Sequence, residues 1–568
     1  SGSIAARLPQ ARASYGMGSA MAGAAKTALV AIAFACPLSG GAGRAGDAGP
    51  APPLDAIRVD PATGHFVDSH GRTRLFHGVN VVYKIPPWYP PSRTFTPTDS
   101  LDPETAGRLR EWGFNVVRLG VMWPGVEPKL AEIDGSYLRA IAELAESLAR
   151  HGVYTLADLH QDLGSRRFCG EGFPEHYVDA LLRDPSSKLA KAAAFPSPMA
   201  APMALNGSGF PFLDDCLKSR FAMYYMTYAV GALWQEFYTP GSDLNSGFLR
   251  FWGAVANAFA NVTHVIGYEL LNEPTGLCLG GDIRSCIVSG VESFGDFVEA
   301  KFLTPLYRAA AKVIRSAGAA QPIFYEPTVI PKVPISPLFP ELPLGDDAQQ
   351  VFAYHVYCAP GDGAGAAAGK FCELAQDVFW NTYQGFLQKH KRVGGFMTEF
   401  GAVGGNDLEL SHLDRLLGYA DDSFQSWAYW QLKKYEDYTS MNSAESLYNA
   451  SGTLEVSKLK ALSRTYAPAI GGLPRRMAFN PSTAAFELEF NATVTSAPTE
   501  VYLNTELHYP SGHEVVVRPS DCLLQRRIDK NYIQLSLPEN GTCRGQLVTI
   551  SVKAAVGSPQ GSVFSVVV

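Results

Sequence analysis

Along its 568 residues the sequence has no apolar run long enough to be a membrane helix, which takes about 20 residues. It also has no C-x-x-C pair, so zinc ribbons and thioredoxin-type redox motifs are excluded. Charge is sparse: 18% of residues are charged, and 54 acidic residues outnumber 47 basic ones for a net charge of -7. A nucleic-acid binder normally carries a basic face, so no nucleic-acid partner is expected. No internal repeat is found. What the chain does have is apolar content, 46%. That excludes a disordered or fibrous protein and leaves enough to bury a sizeable core.

Cysteine is present nine times. Cys36 falls in an N-terminal segment, and the other eight fall into sequence neighbours. Local pairing predicts four disulfides: Cys169 with Cys216, Cys278 with Cys286, Cys358 with Cys372, and Cys522 with Cys543. Five N-x-[ST] sequons, at Asn206, Asn261, Asn449, Asn491 and Asn540, point the same way. The first 50 residues show Arg7, Arg12 and Lys26, then an apolar run over 28–35, then small residues to Gly49. That is the order of a signal peptide, and its run is too short to span a bilayer. A secreted or lumenal protein is expected, with membrane-surface or micelle contact and a monomeric state.

Residues 51–468 alternate short apolar segments with amphipathic stretches. Eight strands are predicted at 75–79, 116–119, 154–159, 265–271, 323–326, 351–355, 395–399 and 426–430, with helices such as 105–112, 138–149 and 297–316 between them. Eight such alternations give an α/β fold, a (β/α)8 TIM barrel. The segment 164–245 is too long for a barrel loop and is expected to be an insertion with helix of its own. Gly471-Gly472-Leu473-Pro474 reads as a linker. Beyond it, over 472–568, alternating strands without helical periodicity predict a small antiparallel β-sandwich.

In such a barrel, chemistry sits at the C-terminal ends of the strands. The fourth strand runs into Asn272-Glu273-Pro274 and the seventh into Glu399-Phe400-Gly401. Two carboxyls facing one cleft are the minimum equipment for glycoside hydrolysis, one donating a proton and the other attacking or activating water. Other polar strand ends converge: Arg118, His160, Asp162, His355, Tyr357 and Trp430. His160 and Asp162 could also be read as metal ligands, but no second His or Cys lies nearby at ligand spacing, so no metal is expected.

These motifs together resemble glycoside hydrolase family 5, over essentially residues 51–467. Within it the likeness is to endoglycoceramidases, on His77-Gly78-Val79-Asn80 followed by Lys84 and Pro86-Pro87-Trp88, on Asp158-Leu159-His160-Gln161-Asp162, and on the appended sandwich. The resemblance implies a retaining, cofactor-free enzyme that cuts the β-glycosidic bond between an oligosaccharide and ceramide. It implies Glu399 as nucleophile, kept ionised by Arg118 and oriented by Tyr357. Glu273 is implied as acid/base, its pKa raised by burial and by the Glu399 charge. Asn272 would bind the sugar 2-hydroxyl, Trp430 would form a platform, and Lys84, His160, Asp162 and His355 would complete the substrate-binding set. A ceramide leaving group needs apolar surface beside the sugar pocket. Candidates are the loop 81–90, Phe168, Phe173, Phe210, Pro211 and Phe212 of the insertion, and Tyr435, Tyr438 and Met441. The alternatives are a β-glucosidase for glucosylceramide or steryl glucosides, an ordinary endo-β-glucanase, and a non-catalytic glycolipid-binding protein.

Overall fold

The computed structural model describes residues 54–292, 297–328, 338–357, 366–435, 439, 443–493, 495–538 and 543–555. The leader, Tyr438, Met441, Asn540 and Cys358 lie outside the described residues.

Eight parallel strands close into a barrel: β1 (His77–Val81), β2 (Val116–Gly120), β3 (Tyr154–Asp158), β4 (Val265–Glu269), β5 (Ile323–Tyr325), β6 (Gln350–Val356), β7 (Gly394–Gly401) and β8 (Ser426–Trp430). Closure is made by β8 against β1, with Trp427 beside His77 and Tyr429 beside Val79. The strands are buried on both faces, which is why they read as short continuous apolar runs and not as alternating ones. The outer helices start where a side chain can satisfy their first free N–H groups. Asp102 caps Pro103–Glu111, Asp134 caps Gly135–Arg150, and Ser242 caps Asp243–Phe259.

The floor of the barrel is apolar. Ile57, Val59 and Phe66 from the N-terminal stretch pack with Phe76, Tyr154, Phe324, Val351 and Phe396, and the Phe66 and Phe324 rings stack at 6.0 Å. The insertion follows β3. It carries the helices Glu175–Arg183, Lys188–Lys191, Leu213–Cys216 and Tyr228–Tyr238. The Cys169–Cys216 disulfide ties its start to its middle.

The C-terminal part is two antiparallel sheets around a shared core that includes Tyr466, Phe486, Leu488, Tyr502 and Ile550. Two expectations are corrected here. The residues read as a linker are strand: Gly472–Asn480 pairs along its length with Ala485–Ala492. A Cβ on Gly472 would lie 2.1 Å from the Asn491 carbonyl oxygen, so the glycine permits close strand approach and does not signal a flexible joint. The sandwich also does not come from the C-terminal sequence alone. Arg58–Val59, Phe66–Val67 and Thr73–Arg74 join its seven-stranded sheet, Thr73–Arg74 pairing with Tyr466–Ile470.

The sandwich grips the barrel at a helix end. Tyr502 Oη and Asn531 Nδ2 donate to the Glu111 carbonyl at 3.0 and 2.9 Å, and Tyr532 Oη donates to the Arg110 carbonyl at 3.2 Å. These are among the last carbonyls of Pro103–Glu111, which have no partner within the helix. The Arg110 guanidinium lies 3.7 Å over the Tyr532 ring. Cys278–Cys286 and Cys522–Cys543 are bonded as expected. Cys372 is disulfide-bonded, with its expected partner outside the described residues. No helix among the described residues is long and apolar enough to cross a membrane.

Candidate active site

A cleft of about 400 Å³ opens at the C-terminal end of the barrel. Its lining includes Lys84, His160, Asp162, Asn272, Glu273, His355, Tyr357, Glu399 and Trp430. Nine of the ten residues singled out from the sequence therefore meet in one place. The tenth, Arg118, lies beneath the cleft and is fully buried.

Arg118 comes from the middle of β2 and meets side chains from five other strands or strand ends. Its Nη1 donates to Glu399 Oε1 at 2.5 Å and to Asn80 Oδ1 at 3.0 Å. Its Nε donates to Glu269 Oε2 at 2.6 Å, and its Nη2 to Asn272 Oδ1 at 2.8 Å. Nη2 also faces Asp158 Oδ1 at 3.1 Å and Glu326 Oε1 at 3.6 Å. Charge-assisted contacts of this kind are short and directional, so they fix Glu399 and Asn272 in place. Tyr357 Oη donates to the other Glu399 oxygen at 2.8 Å.

Glu273 lies in a different setting. His355 Nδ1 lies 2.9 Å from its carboxyl, and no guanidinium or ammonium contacts it within salt-bridge distance among the described residues. Burial pushes its pKa up to about 7, and the Asp162 charge adds to the rise. The Glu399 charge was expected as the second cause; Asp162 fills that role. Burial lowers His355 to about 4, so its imidazole is neutral at pH 7. Facing oxygens of Glu273 and Glu399 lie within 4.8 Å of each other, with the His355 nitrogen between them. That spacing suits direct attack on a sugar carbon and is too close for the intervening water of an inverting enzyme. The backbone of Glu273 has φ 41, a left-handed value uncommon for a non-glycine residue. Its N–H donates to Glu326 Oε2 at 3.4 Å and its carbonyl accepts from Gln161 Nε2 at 3.2 Å.

The polar wall is built around Lys84. It is no solvated loop lysine: Nζ donates to Asp162 Oδ2 at 2.6 Å and to Thr439 Oγ1 at 2.5 Å, and faces Glu171 Oε1 at 3.3 Å. His160, Asp162 and Glu171 have oxygens and nitrogens close enough to chelate, but the Lys84 ammonium already supplies the cation there. The His160 ring stacks on Trp430 at 5.2 Å, and Lys84 Nζ lies 4.9 Å over the same indole. Trp430 Nε1 donates to Glu445 Oε2 at 3.0 Å.

The apolar side differs from expectation. Phe168, Phe173 and Tyr435 are buried in the core and offer nothing to a ligand. Trp88 is half-buried and packs with Val82, Met122 and Trp430. The apolar lining comes from Phe221 and Ala222 of the insertion and from Phe379 and Tyr383 of the helix Ala366–Lys389. Glu326, Glu445 and Gln161 were also missed. Glu326 ends the fifth predicted strand and shares the strand-end signal of the others; Gln161 lies inside the 158–162 motif but was not singled out, and Glu445 carries no comparable signal.

The family model described as "Cellulase (glycosyl hydrolase family 5)" matches residues 67–436, and "Glycoside hydrolase family 5 C-terminal domain" matches 464–552. An endoglycoceramidase from Cyanea nozakii is 32% identical over 487 residues, 84% of this chain and 90% of that protein. Endoglycoceramidase I from Rhodococcus hoagii (strain 103S) is 30% identical over 482 residues, 82% of this chain and 83% of that one. Among solved structures, "Endo-glycoceramidase II from Rhodococcus sp.: Ganglioside GM3 Complex" has a TM-score of 0.67 at 20% identity, covering 87% of this chain and 99% of that one. At that identity the likeness is one of fold.

Proposed function

The chain belongs to glycoside hydrolase family 5, and from that premise we propose that it hydrolyses the β-glycosidic bond between the oligosaccharide and the ceramide of glycosphingolipids, with retention of configuration. The observation that carries this reading is the pair of unlike carboxyls, Glu399 bound by Arg118 and Tyr357, and Glu273 buried with a pKa near 7. Glu399 attacks the anomeric carbon as the bond to the ceramide oxygen breaks, and Glu273 gives its proton to that oxygen. Glu273, now ionised, takes a proton from water. The water oxygen attacks the anomeric carbon and displaces Glu399. Two inversions restore the β-configuration. Asn272, held by Arg118, is placed for the sugar 2-hydroxyl; Lys84, His160, Asp162 and Trp430 hold the sugar; Phe221, Phe379 and Tyr383 border the leaving group. The chemistry is assigned to residues 51–468, with the sandwich as a support. The disulfides support a secretory route, where such bonds form and persist.

The substrate reading is tested by product identity. Incubation with glucosylceramide, lactosylceramide and a ganglioside should release intact oligosaccharide and ceramide; stepwise loss of terminal sugars refutes it. The two glutamates are tested apart. Glu399→Ala should abolish turnover of every substrate. Glu273→Ala should still be glycosylated by dinitrophenyl glycosides and should yield a β-glycosyl azide when azide is added. An α-azide from Glu273→Ala reverses the assignment.

A further inference from the structure

Four carboxyls surround one guanidinium: Glu399 at 2.5 Å, Glu269 at 2.6 Å, Asp158 at 3.1 Å and Glu326 at 3.6 Å from Arg118. Glu269, Asp158 and Glu326 are all fully buried. One positive charge cannot hold four anions in a buried site. Glu326 has the longest contact with the guanidinium, so it is the carboxyl best placed to keep its proton. Burial, followed by the Glu269 charge, holds its pKa well above the ordinary range.

Glu326 Oε2 lies 3.5 Å from His355 Nε2, a buried nitrogen that makes no hydrogen bond among the described residues, so a small approach of the carboxyl would supply its partner. The same oxygen accepts the Glu273 N–H, and Tyr307 Oη donates to the Glu326 backbone carbonyl at 2.9 Å. Both ring nitrogens of His355 thus face carboxyls: Nε2 faces Glu326, while Nδ1 faces Glu273 at 2.9 Å and Glu399 at 3.4 Å. A neutral imidazole has one N–H, and the partner of one nitrogen decides where it sits. We propose that Glu326 is a positioning residue: its carboxyl O–H donates to His355 Nε2, which fixes the imidazole proton on Nδ1 and aims that N–H at Glu273. An N–H there stabilises Glu273 once it has given up its proton and must act as a base. The opposite tautomer would aim a lone pair at the same carboxylate.

Two substitutions of similar size separate donation from charge and from packing. Glu326→Gln keeps a neutral donor toward Nε2; Glu326→Met fills the space without one. Expected for Glu326→Met is an alkaline limb of kcat/KM on a ceramide-linked substrate moved up by about one pH unit. On a dinitrophenyl glycoside, kcat and KM should fall together while kcat/KM holds, because the base-dependent step slows. Expected for Glu326→Gln is kcat/KM within about threefold of the parent enzyme with the limb in place. A purely structural role would lower kcat/KM on both substrates and leave the limb where it was. If Glu326→Met does not fold, Glu326→Gln alone decides: retention supports the proposal, and a larger loss or a moved limb overturns it. An unmoved limb in a folded Glu326→Met overturns it as well. The proposal rests on Glu273 as acid/base. That reading fails separately, if Glu273→Ala gives no β-glycosyl azide, whereas the Glu326 role can fail with the azide product intact.

Discussion

Replacing Glu273 by glutamine should make the folded protein more stable, and only above a certain pH. In the folded state burial and the Asp162 charge lift this carboxyl from its ordinary 4.5 to about 7. In the unfolded chain it returns to about 4.5. Below pH 4.5 both states hold the proton, and glutamic acid and glutamine are nearly equivalent. Between 4.5 and 7 the unfolded chain releases the proton and the folded one keeps it, so the stabilising contribution of the protonated form drains away as pH rises. It is gone above about 7. At about 1.4 kcal/mol per pH unit the loss totals about 3 kcal/mol. A chain of this size loses about 1 kcal/mol of stability per kelvin near its midpoint. The Tm of Glu273→Gln minus that of the parent should therefore climb between pH 4.5 and 7 and level off about 3 °C higher. The check is differential scanning calorimetry of both proteins at half-unit steps from pH 4.5 to 8. A difference that stays constant with pH, or shrinks as pH rises, would refute the premise that Glu273 is held protonated by its surroundings. The same substitution should slow hydrolysis of the lipid substrate severely, a stability gained at the cost of function.

The Cys169–Cys216 bond closes a loop of 47 residues. Cys169→Ser with Cys216→Ser should cost about 4 kcal/mol and expose the insertion to trypsin near Lys218 and Arg220. An unchanged Tm and cleavage pattern would show that packing alone holds it. Ending the chain after Ala469 removes Tyr502, Asn531 and Tyr532, which satisfy the last carbonyls of Pro103–Glu111. It also removes the second sheet of the shared core, so the product should be insoluble. A soluble barrel with native circular dichroism would refute that dependence.

The barrel was legible because its strands are short, largely apolar runs with polar residues at or near several of their C-terminal ends, and both properties are local. All eight predicted strands overlap observed ones, and 426–430 coincides with β8. The N-terminal strands were not legible. Thr73–Arg74 pairs with Tyr466–Ile470, and nothing in two residues announces a partner almost four hundred positions away. Gly472 misled for a related reason. Glycine marks flexible joints and tight backbone contacts alike, and only the position of the Asn491 carbonyl separates them. Phe168 and Phe173 were assigned to a lipid surface on apolarity alone, but apolar residues in an inserted segment also supply that segment's own core. Phe173 packs on Trp123, Trp234 and Phe237.

The unequal fate of the carboxyls follows from how the barrel closes. Sequence places Asp158, Glu269 and Glu399 at the ends of β3, β4 and β7, Glu326 just past β5, and Arg118 in β2. Taken singly, each is an ordinary strand-end acid. Closure brings all four acids against one guanidinium and removes water, and the charge count then no longer balances. Burial raises the pKa of Glu269 even in direct reach of Arg118, whose charge opposes the rise, and the acid farther out is raised more strongly. Glu326 is at the edge of that reach. Glu273, beyond it, faces Asp162, whose own pKa is lowered by Lys84 against the effect of burial. Asp162 therefore remains a negative neighbour that keeps the Glu273 proton in place. A buried Glu273 with a pKa near 7 and a Glu399 bound by Arg118 are two outcomes of one electrostatic imbalance. That is why the strand ends name the candidate residues, while the charge imbalance among them appears only in the closed barrel.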